Sequence, residues 1–174
     1  MPGRHHGVNR IQSFAPVAAP DAHTLILGSM PGQASLAAGQ YYAHPRNLFW
    51  PILGTIFEAP LPDLPYAERL GVLQQHRVAL WDVLHSCERR GSLDSAIAES
   101  SIQPNNFAEF FRKHPGIVRV LFNGSLAEST FRRHVQPQLP ACALRCIRLP
   151  STSPAHAALD FNAKLARWRE ALSA

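Results

Sequence analysis

"TLILGSMPGQASLAAGQYYAHPRNLFW", Thr24–Trp50, is the stretch on which the reading of the chain turns. Thr24–Leu27 is a short apolar run without alternation, the form of a strand buried on both faces. It breaks at Gly28-Ser29-Met30-Pro31-Gly32, residues suited to a tight turn with exposed backbone donors. Tyr41, Tyr42, His44 and Pro45 follow, and Asn47 then opens a helical pattern that runs to Phe57.

Three further runs read as buried strands: Val78–Trp81, Ile117–Phe122 and Leu144–Arg148. Helical patterns lie between and after them, over Tyr66–His76, Asn105–Lys113, Ser125–His134 and Asp160–Leu172. In the last, Phe161, Leu165, Trp168 and Leu172 share a face, which puts Lys164, Arg167 and Arg169 on the solvated side. Alternating strands and helices predict an α/β fold of three layers, α/β/α, around a central four-stranded, mostly parallel sheet. In such sheets ligands bind beyond the carboxyl ends of the strands. Four polar segments follow the strands: Gly28–Gly32, Asp82–Ser86, Asn123–Ser125 and Leu149–Pro154. Gathered at one rim, they would line a polar cleft.

Composition narrows the class. The chain has 174 residues, 46% hydrophobic, with 17 Lys+Arg against 12 Asp+Glu and a formal charge of +5. That size suits one domain with one core. The basic excess suits a polyanionic partner without proving one. Cys87, Cys142 and Cys146 are odd in number and form no C-x-x-C pair, which argues against a disulfide framework or a zinc ribbon. Reduced thiols in the cytoplasm are expected. No apolar run is long enough for a membrane span, and the start, with Arg4, His5 and His6, carries no signal-peptide core.

The glycine turn fits neither G-x-G-x-x-G nor a Walker loop, so nucleotide and dinucleotide cofactors are not expected. The histidines lack zinc-protease spacing, so no metal is expected either. Asp82, the serines and the histidines leave an esterase-type hydrolase open, although G-x-S-x-G is missing. Tyr42 in a polar cleft would stack on a nucleobase, while one of the two tyrosines is expected to pack against the sheet. Asn47 reads as a helix cap, with Pro51 acceptable only near the helix start. Ser151, Thr152 and Ser153, between Pro150 and Pro154, form a stiff hydroxyl-rich loop suited to phosphates, or simply a connector. Arg89-Arg90 and Arg132-Arg133 could add phosphate contacts or merely be solvated.

Five segments together carry a resemblance: "LILGSMPG", "YYAHPRNLFW", "LWDVLHSC", "LFNGSLA" and "LPSTSPAHA", in order over Leu25–Ala157. The chain resembles the uracil-DNA glycosylase superfamily, in particular its hypoxanthine-DNA glycosylase branch. It departs from the wider superfamily in three places. Met30 stands where a water-activating Asp or Asn is usual, Leu149 where a histidine opens the second signature loop, and Asp82 where an asparagine reads uracil. Met30 cannot polarise water. The hypoxanthine branch uses the asparagine of the N-x-F-W segment, which is Asn47.

The resemblance implies hydrolysis of the N-glycosidic bond of a deaminated base, hypoxanthine first, flipped out of damaged DNA during base excision repair. It implies Asn47 as the catalytic water holder and Tyr42 as the stacking platform. Gly28, Ser29, Met30, Asp82 and Asn123 would line the base, and Pro31, Gly32, Ser151, Thr152 and Ser153 would hold flanking phosphates. Asp82 would accept from a purine N–H or act as a structural cap; Asn123 would read the base edge or close its turn. No lysine lies in these segments, so the enzyme would be monofunctional. It would act as a monomer without an obligate protein partner. A uracil-preferring enzyme of the same superfamily and a non-catalytic DNA-binding module are the alternatives.

Overall fold

The computed structural model describes residues 9–141 and 143–173; Arg4, His5, His6 and Cys142 lie outside the described residues. In chain order the strands are β1 (Arg10–Gln12), β2 (Thr24–Gly28), β3 (Val78–Asp82), β4 (Leu84–Glu88), β5 (Gln103–Pro104), β6 (Arg119–Asn123) and β7 (Arg145–Leu149). The α-helices are α1 (Gln33–Ala38), α2 (Phe49–Phe57), α3 (Tyr66–Gln75), α4 (Phe107–Lys113), α5 (Ser125–Thr130) and α6 (Phe161–Ser173).

The central sheet has the order β3-β2-β6-β7, and every pairing in it is parallel. The expected four-stranded core is therefore present, wholly rather than mostly parallel. Alternation assigns each strand residue to a layer. Leu25, Leu27, Ala79, Trp81, Val120 and Phe122 pack with Phe107 and Phe110 of α4 and with Phe131 after α5. Ile26, Val78, Leu80 and Leu121 face the other way, onto Phe49, Trp50 and Leu53 of α2, Leu73 of α3, and Leu165 and Trp168 of α6. Both faces are covered, which is why these strands are continuous apolar runs.

A second, antiparallel sheet, β1-β4-β5, has no counterpart among the expected elements. Asp82–Ser86 is therefore not a turn: Val83 N–H bonds Gly28 O at 2.8 Å and the chain re-enters a strand at Leu84. The signal was present as alternation, with Leu84 and Ser86 buried around exposed His85. Polar residues in the run masked it. Pro104 is accommodated because β5 is an edge.

Helix limits also moved. α2 begins at Phe49, so Pro51 falls in its first turn, where no N–H is needed. α4 begins at Phe107, with Asn106 Oδ1 accepting from Glu109 N–H at 3.2 Å. Beyond α5 the chain widens into a π-helical turn at Phe131–Val135. In α6, Lys164 is buried at 2% exposure rather than solvated, and its Nζ donates to His156 O at 2.6 Å. A helical face assignment could not foresee that a loop carbonyl would be waiting there.

The strand order places a switch point at β2: the chain leaves it for β3 on one side and later returns to β6 on the other. The carboxyl ends Gly28, Asp82, Asn123 and Leu149 consequently share one rim, held by the register pairs Gly28↔Asp82 and Asn123↔Leu149.

Candidate active site

At that rim lies a cavity of about 540 Å³, within the range of small-ligand sites. Every residue expected to form the site lines it: Gly28, Ser29, Met30, Pro31, Gly32, Tyr42, Asn47, Asp82, Asn123, Ser151, Thr152 and Ser153.

The turn after β2 has most of its carbonyls occupied. Gly28 O and Ser29 O accept from Val83 and Leu84 N–H, Gly32 O from Leu36 N–H, and Pro31 O from Arg89 Nη2 at 2.6 Å. The N–H groups of Ser29, Met30 and Gly32 make no hydrogen bond among the described residues. What the turn has left to offer a ligand is mainly donors, with the Met30 carbonyl beside them. Met30 itself is buried in the core.

The tyrosine pair divides as expected. Tyr41 is the packed one: its N–H donates to Tyr66 Oη at 3.0 Å, its hydroxyl to Ala15 O at 2.9 Å, and Trp50 Nε1 donates to its carbonyl at 3.0 Å. Ala43 N–H is taken by Ser35 Oγ at 3.1 Å. Held on both sides, Tyr42 adopts φ 56°, a left-handed backbone uncommon for a bulky residue and typical of over-determined functional positions. One face of its ring stacks on Phe49, centroids 4.0 Å apart at 20°. Its Oη is buried without a hydrogen-bond partner. Burial first, then the Asp82 charge, raise this phenol well above its ordinary range, with the neighbouring Asn123 amide opposing.

Asp82, at the end of β3, is 3% exposed, and its Oδ2 is buried without a partner. Burial pushes this carboxyl up to about 7, helped by the Asp94 charge and opposed by the Arg89 guanidinium. The site closes tightly around it. A Cβ on Gly28 would stand 2.5 Å from Asp82 Oδ1 and 3.3 Å from Tyr42 Oη, so only glycine fits.

Asn47 stands one residue before the N-cap of α2, which is Leu48, and not at it as expected. Its Oδ1 accepts from Phe49 N–H at 2.9 Å, an Asx-type turn that occupies one first-turn donor much as a cap would. Its own N–H donates to His44 O at 2.9 Å. An amide oxygen has two lone pairs, so one bond to Phe49 leaves a second acceptor site on a residue that lines the cavity. Cap and water holder are compatible roles.

Beside Tyr42, on the strand-end of β6 and the loop after β7, polar groups are spent on each other. Asn123 Nδ2 donates to Thr152 Oγ1 at 3.0 Å, and Thr152 N–H donates back to Asn123 Oδ1 at 2.9 Å. Thr152 is 1% exposed, so its hydroxyl serves the fold, and Ser151 and Ser153 are the hydroxyls nearer the surface. Ser151 Oγ accepts from Ser153 N–H, and Ser153 Oγ from Ala155 N–H. Thr152 O accepts from Leu48 N–H at 3.0 Å, joining this loop to the Asn47 segment. Trp168 Nε1 bonds Pro150 O at 3.0 Å, so α6 anchors the loop from behind.

The segment after β4 was missed by sequence reading. Asp94 Oδ1 accepts from Ser29 Oγ at 2.7 Å, Ser92 Oγ accepts from Gln33 N–H at 2.9 Å, and between them Leu93 stands 55% exposed on the rim. Arg89 is 4% exposed and braces this loop through Gly91 O and Pro31 O, so it is not a phosphate contact. Arg132 and Arg133 pair with Glu128 and Glu99. The exposed arginines on the cavity rim are Arg148, which also reaches Glu128 at 3.9 Å, and Arg167. Partners 58 and 65 residues apart left no local signal.

Among the described residues no serine hydroxyl bonds a histidine ring nitrogen, the pairing on which a serine hydrolase would rest; Ser13 Oγ meets only the His85 carbonyl. Lys113 pairs with Glu109, and Lys164 is turned to His156 O; neither lines the cavity.

The family model of the uracil DNA glycosylase superfamily matches residues 15–172. A hypoxanthine DNA glycosylase of Methanosarcina acetivorans is 32% identical over 151 residues, 87% of this chain and 91% of that protein. One from Methanosarcina barkeri is 40% identical over 113 residues, 65% of this chain and 70% of its own length. A candidate uracil DNA glycosylase from M. acetivorans, solved by solution NMR, superposes with a TM-score of 0.79 at 29% identity. The match covers 94% of this chain and 97% of that one.

Proposed function

From the premise that the chain belongs to the uracil DNA glycosylase superfamily, we propose that it is a hypoxanthine-DNA glycosylase, removing the deaminated base by hydrolysis. The observation that carries the reading is the meeting of Asn47, Tyr42 and Asp82 in one cavity, where two buried polar atoms lack partners. An unpaired buried polar group costs about 1–3 kcal/mol. A ligand that pairs with them recovers that cost.

The flipped nucleotide enters with its base over the free face of Tyr42 and its edge towards Asp82, Asn123 and the Ser29–Met30 amides. Asn47 Oδ1 orients water at C1′. As an amide it positions this water and does not deprotonate it. Departure of the base builds positive charge on the sugar and moves electron density onto the base, and the donor-rich turn after β2 stabilises the second. Pro31, Gly32, Ser151 and Ser153 border the flanking phosphates, with Thr152 holding that loop in shape and Arg148 and Arg167 supplying positive charge. Leu93 fills the gap left in the stack, as apolar wedges do in kinked duplexes.

With no lysine in the cavity, the reaction ends at the abasic site. The protein works as a single-domain monomer in the cytoplasm, with access to the chromosome; among the described residues no helix is long and apolar enough to cross a membrane.

The test is base release from duplexes carrying one hypoxanthine or one uracil, comparing the native protein with a folded Asn47→Ala variant. Hypoxanthine release that collapses in the variant supports the reading. Release that survives it leaves Asn47 as a cap only, and no release of either base defeats the glycosylase reading.

A further inference from the structure

Asp82 is an unusual carboxyl even for a buried one. Its Oδ2 meets no donor in the chain. The nearest cation, Arg89, has Nε committed to Gly91 O and Nη2 to Pro31 O, and no ion pair to Asp82 forms. The other groups facing it are Asp94, held by Ser29, and the phenols of Tyr41 and Tyr42. Against the Arg89 charge, whose Nη1 is buried without a hydrogen bond, stand an acid and two phenols, which give an anionic Asp82 no support. The carboxyl is pressed against Gly28, at the end of the cavity where the base edge arrives.

We propose that Asp82 enters the reaction as the neutral acid and gives its proton to N7 of the departing purine. The inference rests on the glycosylase reading and adds the leaving-group chemistry to it. The Asp82 O–H bond breaks and an N7–H bond forms. The C1′–N9 bond breaks with its electron pair moving to the base, which leaves as neutral hypoxanthine. Water held by Asn47 adds its oxygen to C1′, and its surplus proton returns to the Asp82 carboxylate, directly or through solvent. Burial keeps this acid protonated up to about neutral pH, where a general acid is most useful. The same feature favours purines, because uracil presents no ring nitrogen in the place of N7.

The test measures single-turnover base release between pH 5 and 9 from duplexes containing hypoxanthine or 7-deazahypoxanthine, for the native enzyme and Asp82→Asn. Near-ultraviolet circular dichroism checks that the variant is folded. In the native enzyme the rate on hypoxanthine falls about tenfold per pH unit above neutrality. Asp82→Asn, which still donates a hydrogen bond but cannot release a proton, is slower by roughly a hundredfold at pH 6 and loses the alkaline limb. The native preference for hypoxanthine over the 7-deaza base shrinks at least tenfold in the variant.

An alkaline limb that survives in Asp82→Asn belongs to another group and overturns the proposal. So does an unchanged preference between the two bases. In both cases the native enzyme still releases hypoxanthine, so the glycosylase reading stands. Native protein that releases no base overturns both.

Discussion

The two walls of the cavity spend their polar atoms differently. On the Asn123–Thr152 wall, each side chain bonds the other through a reciprocal pair, and the flanking serines close on their own loop. On the Tyr42–Asp82 wall, a phenol and a carboxylate oxygen are buried with nothing to bond. A satisfied wall keeps its shape without a ligand. An unsatisfied wall waits for one, and the fold bears its cost in the meantime. On the proposed reading, the difference separates residues that hold the site open from those that meet the base.

The largest effect that would sharpen this contrast is at Asn47. Asn47→Ala should lower single-turnover hypoxanthine release by roughly 10²–10³, a few kcal/mol in the barrier, while loss of the cap costs only about 1 kcal/mol of stability. Quench-flow kinetics beside a denaturant melt would read both; equal small losses would leave only the cap.

Asp82 makes the strongest claim on stability. Its carboxyl is raised in the fold from 3.8 to about 7, so the fold favours the neutral form. That contribution is complete below about pH 4 and is lost as pH rises through 7. Asp82→Asn, which has no charge to bury, should therefore be more stable than the native protein at pH 8 by about 2–4 kcal/mol, with the advantage gone near pH 4. Urea titrations at the two pH values decide it, and a variant less stable at both would place Asp82 on the satisfied side of the comparison.

Gly28→Ala should push Asp82 and Tyr42 apart, since the added methyl meets Oδ1 at 2.5 Å. A stability loss of about 1–3 kcal/mol and a tenfold or greater fall in base release are expected. Thr152→Val probes the other wall: it removes the hydroxyl that accepts from Asn123 and should cost about 1–2 kcal/mol in thermal stability, with a smaller effect on the chemical step. The smallest effect is expected at Leu93. Leu93→Ala should slow release from a paired lesion severalfold and leave a single-stranded substrate unaffected, because only the duplex needs its gap filled.

Much of this was legible from sequence for a simple reason. Strands buried on both faces must be apolar throughout, so Thr24–Leu27 and its three counterparts announce themselves, and the polar residues after each follow into one rim. Tyr42 stood out as an aromatic ring in a polar, proline-bordered turn, whereas Asn47 read from its residues alone as a helix cap and drew attention to the site only through the resemblance carried by its N-x-F-W segment. Three features stayed hidden: the β1-β4-β5 sheet, the Arg89–Asp94 brace and the buried Lys164. Each depends on partners distant in sequence. Thr152 was legible as polar but not as inward-facing, since its direction is set by Asn123, 29 residues away.

One bond described above reaches further than its length. Leu48 N–H and Thr152 O join, at 3.0 Å, two segments separated by a hundred residues of chain. The amide beside the water holder and the carbonyl of the backbone-gripping loop thus share a single mechanical datum. If the proposed roles hold, a DNA strand that tugs on Ser151–Ser153 pulls on the segment that carries Asn47, so displacements at the two ends of the nucleotide are coupled. Alignment of water with sugar is then inherited from the grip on the backbone and need not be found anew for each lesion.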